Sequence, residues 1–192
     1  MRIISGSARG RRLAEFAGSG IRPTSDRARE AIFSILLSRY KSLQNMRVLE
    51  LFAGSGALSL EALSRGAKSA LLVDSSPQAA KLINDNIARC KMEDRAELIR
   101  QSALAGLSLA SRKGPFELIF MDPPYNQGLV PQTLKQIAAL QLLQQNGIIC
   151  AESATGEQFE LPESLELIET RTYGSSKVHL ICNRSNTTDE VE

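Results

Sequence analysis

The sequence predicts an α/β protein with a mostly parallel sheet and an antiparallel hairpin near its C-terminal end. From residue 47 onward, short apolar runs alternate with helical segments, a pattern typical of parallel strands whose connecting helices cover both faces of the sheet. A glycine-containing loop follows the first apolar run, which is where open α/β sheets bind ligands. The last two runs are joined by only three residues, Gly174 to Ser176, and such a short joint favours an antiparallel pair at the sheet edge.

Residues 1–46 are predicted to form a small basic extension ahead of this sheet. Residues 1–22 are typical of a short β-hairpin or extended arm, because four glycines interrupt strand-forming residues. A helix is expected next, and Thr24 or Ser25 can cap its first turn. Apolar residues then recur at helical spacing and predict its buried stripe, which consists of Ala28, Ala31, Ile32, Ile35 and Leu36.

The core is predicted to span residues 47–183. Its parallel strands are expected near residues 47–52, 69–73, 96–100, 116–121 and 147–151, and its helices near 57–65, 77–90, 103–111 and 130–140. The hairpin strands are expected at 165–173 and 177–183. The last residues, 184–192, are polar and are predicted to form a flexible tail.

Length and composition favour one soluble, cytoplasmic domain. Of 192 residues, 43% are hydrophobic and 23% charged, as in ordinary globular proteins, and no apolar run approaches the roughly 20 residues of a membrane span. The three cysteines are far apart without a C-x-x-C pair, which indicates reduced thiols. With a single histidine, His179, in an apolar run, we expect no metal site and no Ser-His-Asp triad, and a structural role for this ring.

Positive charge is concentrated near the N-terminus. Residues 1–47 carry ten Lys or Arg and three Asp or Glu, a net charge of +7, while the rest of the chain carries −5. One interpretation is an ordinary solvated face. The other is an extension that contacts phosphates, because the guanidinium group binds phosphate in a bidentate manner. The candidate nucleic-acid contacts are Arg9, Arg11, Arg12, Arg22 and Arg27.

The loop after the first strand has the pattern E-x-x-x-G-x-G, from Glu50 to Gly56. A pyrophosphate cradle is disfavoured, because Ser59 stands where the dinucleotide pattern has its third glycine, and no GK[ST] follows. By itself, a G-x-G is often only a tight turn between strand and helix. However, Asp74 closes the second strand, where an acid can accept both hydroxyls of a ribose. Together these residues predict a nucleotide-type ligand.

S-adenosylmethionine fits this set, because it has a ribose and an adenine but no phosphates. Its ammonium group would lie near Glu50, its carboxylate near backbone donors at the helix start, and its adenine edge near Ser102. The candidate cofactor-binding residues are Glu50, Phe52, Ala53, Gly54, Gly56, Asp74, Ser75, Ser102 and Ala103.

The fourth strand ends in Asp122-Pro123-Pro124-Tyr125, and these four residues are the predicted catalytic group. The lone pair of an exocyclic base amine is delocalised, and two acceptors that bind its N–H groups can localise it. The Asp122 carboxylate and the Pro123 carbonyl supply two acceptors, the prolines stiffen the carbonyl's direction, and Tyr125 offers a surface for base stacking. The alternative is a simple turn after a buried strand.

The sequence resembles the bacterial 16S rRNA guanine-N2 methyltransferase family over residues 1–183. The resemblance is carried by ISGSARGRRL (4–13), IRPTSDRAREAIFSIL (21–36), VLELFAGSGALSLEALSRGA (48–67) and DPPYNQG (122–128). It implies a Rossmann-like class I methyltransferase fold with an N-terminal hairpin, S-adenosylmethionine as donor, and the N2 amine of one small-subunit rRNA guanine as target. It places Asp122, Pro123 and Tyr125 in catalysis, and Gly54, Gly56 and Asp74 at the cofactor.

Ser59, Asp74 and Ser102 depart from this family's usual residues, which are glycine, glutamate, and aspartate or asparagine. The changes at Ser59 and Asp74 leave the expected chemistry intact, whereas Ser102 alters the expected contact with the adenine. The expected partner is 16S rRNA within a small-subunit assembly particle, bound by a monomer.

Three alternative functions remain. The first is a DNA adenine-N6 methyltransferase, although residues 1–46 leave little room for the duplex-reading domain that such enzymes usually have. The second is a non-catalytic RNA-binding protein, and the third is a dehydrogenase, which Ser59 and the DPPY motif disfavour.

Overall fold

The computed structural model describes residues 1–16 and 26–184, with only the backbone for residues 26 and 27. The predicted helix cap at Thr24 or Ser25, and all but the first residue of the predicted tail, lie outside the described residues. Twelve elements follow in the order α1 (Asp26–Tyr40), β1 (Arg47–Leu51), α2 (Ala57–Ser64), β2 (Ser69–Val73), α3 (Pro77–Cys90), β3 (Ala96–Ile99), α4 (Ala103–Ala110), β4 (Phe116–Met121), α5 (Leu129–Ala139), β5 (Leu143–Ala154), β6 (Leu165–Tyr173) and β7 (Ser176–Asn183).

The seven strands form one mixed sheet in the order β3-β2-β1-β4-β5-β7-β6. Strands β1 to β5 run parallel to one another, while β7 runs antiparallel to both β5 and β6. The chain moves outward from β1 through β2 to β3 and then returns to place β4 on the other side of β1. The predicted α/β fold with a parallel sheet and a C-terminal antiparallel hairpin is therefore confirmed, with its topological switch point between β1 and β4.

Helices cover both faces of the sheet, as predicted. On one face, α1, α2 and α3 pack through residues such as Phe33, Leu60 and Ile83. On the other face, α4 and α5 pack through residues such as Leu107 and Leu134. Each predicted strand and helix of the core is present to within a few residues. The largest difference is β5, which is longer at both ends than the apolar run from which it was predicted.

Local sequence signals set several helix ends. The hydroxyl of Ser76 accepts a hydrogen bond from the amide of Ala79 at the start of α3, and Pro77 occupies the first helical position, where its missing N–H costs nothing. Ser102 caps α4 in the same way. By contrast, α2 follows Gly56, which has no side chain to cap it, so the first amides of α2 need another acceptor.

Residues 1–16, called the N-terminal segment from here on, fold back on themselves and onto α2. A single antiparallel bridge joins Arg2 to Arg12, and the amide of Leu13 donates to the carbonyl of Met1 at 3.1 Å. Within residues 1–16 the predicted hairpin or arm is therefore a hairpin with short pairing, and its predicted continuation over residues 17–22 lies outside the described residues. Ile3 is fully buried, and all eight residues of α2 are buried. The segment thus covers the face of α2 that would otherwise meet solvent.

His179 has the structural role that the sequence predicts. The ring nitrogens of His179 lie 2.9 Å from the Ser153 hydroxyl and 3.0 Å from the Thr170 hydroxyl, which gives the ring a structural role. The described residues contain no helix long and apolar enough to cross a membrane. Within the same residues, no group of three or more His, Cys, Asp or Glu side chains is arranged to hold a metal ion.

Candidate active site

The candidate site lies where the carboxyl ends of β1 and β4 meet. In the parallel pairing, Glu50 is opposite Phe120 and Leu51 is opposite Met121. The loop that follows β1 and the loop that begins at Asp122 therefore leave the sheet side by side. This is the switch point of the sheet, where neighbouring loops diverge and leave a crevice. The structure thus places the Asp-Pro-Pro-Tyr motif beside the glycine loop.

The glycine loop, residues 52–56, has a left-handed backbone at three of its five positions. Phe52, Gly54 and Gly56 all have positive φ, of 58°, 56° and 73°. A Cβ on Gly56 would lie only 2.8 Å from Cδ2 of Leu72, so the loop packs directly on β2. A Cβ on Gly54 would meet nothing closer than 3.9 Å, where the ring of Phe16 is one neighbour. Gly54 therefore presents open backbone that a ligand can approach.

Asp74 holds this loop in place. Its Oδ2 accepts a hydrogen bond from the amide of Gly54 at 2.9 Å, and its Oδ1 accepts one from the amide of Ser76 at 2.9 Å. The loop-holding role is not visible in the sequence. Each carboxylate oxygen can accept more than one hydrogen bond, and the side chain is only partly buried. The predicted contact with both ribose hydroxyls is therefore compatible with this geometry, and Asp74 stays a candidate cofactor residue.

Glu50 lies near the end of β1 and is buried, with 4% of its surface exposed. Its carboxyl group reaches the start of α2. Its Oε2 accepts a hydrogen bond from the amide of Ser59 at 2.8 Å, so it supplies the acceptor that Gly56 cannot. Burial raises the pKa of Glu50 to about 7, hydrogen bonds from Ser59 and Leu58 oppose that rise, and the nearby Asp122 carboxylate adds to it. A cation bound beside Glu50 would favour its charged form, so the site fits the ammonium group of S-adenosylmethionine.

The Asp122 loop combines a half-buried acid with an exposed ring. Burial raises the pKa of Asp122 to about 6, Pro123 is buried and Pro124 is exposed. The side chain of Tyr125 is 39% exposed. An acceptor held on rigid backbone beside a partly exposed aromatic ring is the arrangement expected of a clamp for a base amine. The roles of these four residues remain predictions.

Glu157 fastens the Asp122 loop to the sheet. Its Oε2 accepts hydrogen bonds from the amide of Asn126 at 3.3 Å and from the amide of Ala154, at the end of β5, at 3.4 Å. Sequence reasoning missed Glu157, because it lies 31 residues after its partner Asn126. No local pattern marks such a contact.

The residues predicted at the adenine and ribose end lie at the same edge of the sheet. Ser75 is exposed, directly after Asp74. Ser102 is exposed and caps α4 by accepting from the amide of Ala105 at 3.3 Å, while Ala103 is buried. The exposed hydroxyl of Ser102 has its acceptor capacity partly used by the cap, so its contact with an adenine stays a prediction.

The predicted RNA-contacting arginines differ in how far their side chains are exposed. Arg9 and Arg12 are exposed. Arg11 is half-buried and donates to the carbonyl of Arg89 at the end of α3. Arg22 and the side chain of Arg27 lie outside the described residues.

Not all of the N-terminal positive charge is available to phosphates. Arg29, which contributes to that charge, is fully buried, with its Nε 4.0 Å from the Glu61 carboxylate. The interpretation of the whole charge excess as one phosphate-binding face is therefore wrong for this residue.

Two further residues at the site were missed by sequence reasoning. The ring of Phe16 lies next to Gly54. Asn86 donates to the carbonyl of Ser55, inside the glycine loop, at 3.0 Å. A signal for Asn86 does exist in the sequence, because it lies on the buried stripe of α3 with Leu82, Ile83, Ile87 and Cys90. A polar residue on an apolar stripe is expected to have a buried partner.

Comparisons with known proteins agree with this geometry. A family model described as conserved hypothetical protein 95 matches residues 1–182. Ribosomal RNA small subunit methyltransferase D of Haemophilus influenzae is 32% identical over 184 residues, which are 95% of this chain and 94% of that protein. The protein of the same name from Escherichia coli K12 is 34% identical over 168 residues, 88% of this chain and 79% of that one.

A solved structure gives the same result at the level of the fold. The structure of yhhF from Escherichia coli superimposes with a TM-score of 0.81 and 32% identity, covering 96% of this chain and 98% of that one. The predicted class I methyltransferase fold and the enzyme class are thereby supported. The chain belongs to the conserved hypothetical protein 95 family, the family of the ribosomal RNA small subunit methyltransferases D, and is a methyltransferase.

Proposed function

We propose that this protein transfers a methyl group from S-adenosylmethionine to the exocyclic N2 amine of a guanine in 16S rRNA. One observation carries the proposal: the Asp122 loop, with its partly exposed Tyr125, lies beside the glycine loop at the switch point between β1 and β4. An amine clamp and a donor site that share one edge of a sheet can hold both reactants in contact. The names of the Haemophilus influenzae and Escherichia coli relatives support the rRNA substrate.

The donor supplies an activated methyl group on a sulfonium centre. The chain's own residues bind and orient it. The open backbone at Gly54 would receive the donor, Asp74, which holds that backbone, would accept from the ribose hydroxyls, and Glu50 would face the ammonium group. Because Asp74 and Glu50 also hold the glycine loop and the first turn of α2, the loop is arranged before the ligand arrives, which lowers the entropy cost of binding.

Asp122 both orients the amine and accepts its proton. Its carboxylate and the carbonyl of Pro123 each accept one N–H of the target amine, so that the nitrogen lone pair points toward the methyl group. The methylated nitrogen must then lose a proton. A carboxyl group whose pKa is raised to about 6 by burial is ionised at neutral pH and is a better proton acceptor than an ordinary aspartate.

Tyr125 and the N-terminal segment would bind the RNA. A base that leaves its own stack regains about 1–3 kcal/mol by stacking on an aromatic ring, and Tyr125 has the exposure for this role. Arg9 and Arg12 are the exposed residues among the candidate arginines of this segment, and phosphate contacts are proposed from them. Such contacts position RNA without reading its sequence, so the folded presentation of the guanine in an assembly particle would supply the selectivity. We place this reaction in the cytoplasm, with the protein acting as a monomer.

Methylation assays on three substrates test the proposal. Small-subunit particles from a strain that lacks the protein, protein-free 16S rRNA and double-stranded DNA are each incubated with labelled donor, and the modified nucleoside is identified by mass spectrometry. We expect N2-methylguanine, formed fastest on the particles. Methyladenine in DNA, with no product in either RNA substrate, would contradict the proposal and favour a DNA adenine methyltransferase instead.

A further inference from the structure

Asn86 connects two parts of the chain that the proposed reaction uses separately. It lies on α3 and is fully buried. Its Oδ1 accepts from the amide of Ala14 at 2.7 Å, and its Nδ2 donates to the carbonyl of the same residue at 3.1 Å. The same Nδ2 donates to the carbonyl of Ser55, between the two glycines of the loop, at 3.0 Å. Both N–H groups of the amide have an acceptor, so one side chain joins the N-terminal segment to the glycine loop.

Phe16 brings the same segment to the open side of the loop. It follows Ala14 by two residues, and its Cε2 is 3.9 Å from the position that a Cβ on Gly54 would occupy. Gly54 is the point where backbone is open to a ligand. The N-terminal segment therefore borders the donor site as well as the protein surface.

The other end of the segment is fixed to α2, the helix that begins at the glycine loop. The amide of Ile4 donates to the Glu61 carboxylate at 2.7 Å, and the amide of Ala8 donates to the Ser64 hydroxyl at 2.9 Å. The exposed Arg9 and Arg12 lie between this attachment and the one at Asn86. A shift of the segment caused by phosphate contacts would therefore reach the glycine loop through Asn86, which bonds both the segment and the loop.

We propose that Asn86 is a positioning residue that couples the glycine loop to the N-terminal segment, so that donor binding and RNA binding strengthen each other. The coupling rests on the proposed function, because it requires RNA contacts at Arg9 and Arg12. When the segment is held in its docked position, Asn86 keeps the Ser55 carbonyl, and with it the open backbone of Gly54, in the conformation that receives the donor. Linkage makes the effect reciprocal: the donor must raise RNA affinity by the same factor by which RNA raises donor affinity.

Calorimetric titration of the free protein with S-adenosylhomocysteine tests the positioning role. Asn86→Ala is expected to raise the Kd about threefold to tenfold, as loss of a buried hydrogen bond predicts. Asn84→Ala is the matched control, because Asn84 lies on the same helix but is exposed, and its Kd should stay within about twofold of wild type. Ser64→Ala loosens the segment at its other attachment and leaves Ser55 untouched, so its Kd should also change little. An unchanged Kd in Asn86→Ala, or an equal rise in Ser64→Ala, would overturn the positioning role.

A second measurement tests the coupling. The Kd for small-subunit particles is measured with and without saturating S-adenosylhomocysteine. We expect the product to tighten particle binding several-fold in the wild type and in Asn84→Ala, and to have little effect in Asn86→Ala. Equal tightening in Asn86→Ala, or none in the wild type, would overturn the coupling. Failure of the wild type to bind particles at all would refute the proposed RNA contacts together with the coupling, while the calorimetric result would still decide the positioning role.

Discussion

Replacing Asp122 with asparagine is expected to stabilise the folded protein at neutral pH and to slow catalysis. Burial raises the pKa of Asp122 from 3.8 to about 6, and a rise of about two pKa units corresponds to about 3 kcal/mol. Because the folded pKa lies above the unfolded one, the cost of burying the charge is absent below about pH 4 and complete above about pH 7. Asparagine has a similar shape and no charge. Its free energy of unfolding should exceed that of the wild type by about 2–3 kcal/mol near pH 7.5 and by much less near pH 4.

Urea unfolding across this pH range measures the effect. Asp94→Asn is the control, because it makes the same chemical change at a side chain that is 78% exposed, and at neutral pH it should change the free energy of unfolding much less than Asp122→Asn does. If Asp122→Asn is no more stable than wild type at neutral pH, then the charged Asp122 side chain does not lower the free energy of unfolding. The inference that burial raises the pKa of Asp122 would then be wrong.

Single-turnover methylation of small-subunit particles tests the same residue in catalysis. Loss of a charge-assisted hydrogen bond of roughly 1.5–3 kcal/mol predicts at least a tenfold to hundredfold lower rate for Asp122→Ala. The loss should be smaller for Asp122→Asn, because its amide oxygen still orients the amine by accepting an N–H, although it cannot accept the proton. The wild-type rate should fall as the pH drops through about 6, because the protonated carboxyl no longer accepts, and this dependence should be absent in the asparagine variant. A full rate in Asp122→Ala would refute the amine clamp.

The remaining predictions concern the donor, the segment and the RNA. Asp74→Ala should raise the calorimetric Kd for S-adenosylmethionine, because the ribose and the Gly54 amide lose one acceptor; an unchanged affinity would place the ribose elsewhere. Gly6→Ala should lower the thermal midpoint of unfolding much more than Gly10→Ala. Both glycines have φ above 80°, but a Cβ on Gly6 would lie 1.8 Å from a backbone oxygen of α2, while a Cβ on Gly10 would meet nothing within 4 Å. Equal losses would argue against tight docking of the segment. Replacing Arg9 and Arg12 with alanine should flatten the dependence of log K for 16S rRNA on log salt by about 1.4, and an unchanged slope would exclude both from phosphate contact.

The strands and the glycine loop could be predicted because their signals are local. β1, β2 and β4 are almost entirely buried, and a parallel strand covered on both faces appears in a sequence as a short continuous apolar run. The loop signal is equally local, because the positive φ of Gly54 and Gly56 favours glycine at those positions. The ends of β5 could not be predicted in this way, because they are set by pairing with β4 and β7.

The sequence by itself determined the α/β class, the glycine loop, the acids at the strand ends and the Asp-Pro-Pro-Tyr motif. Each depends on neighbouring residues or on a repeating period along the chain. Only the tertiary structure decided that the N-terminal segment covers α2, that Arg29 is buried beside Glu61, and that Asn86 joins Ala14 and Ser55. Asn86 lies 72 and 31 residues from these two partners. A hydrogen bond across such a separation leaves no periodic trace in the sequence, since it depends on where the packed elements place each backbone group.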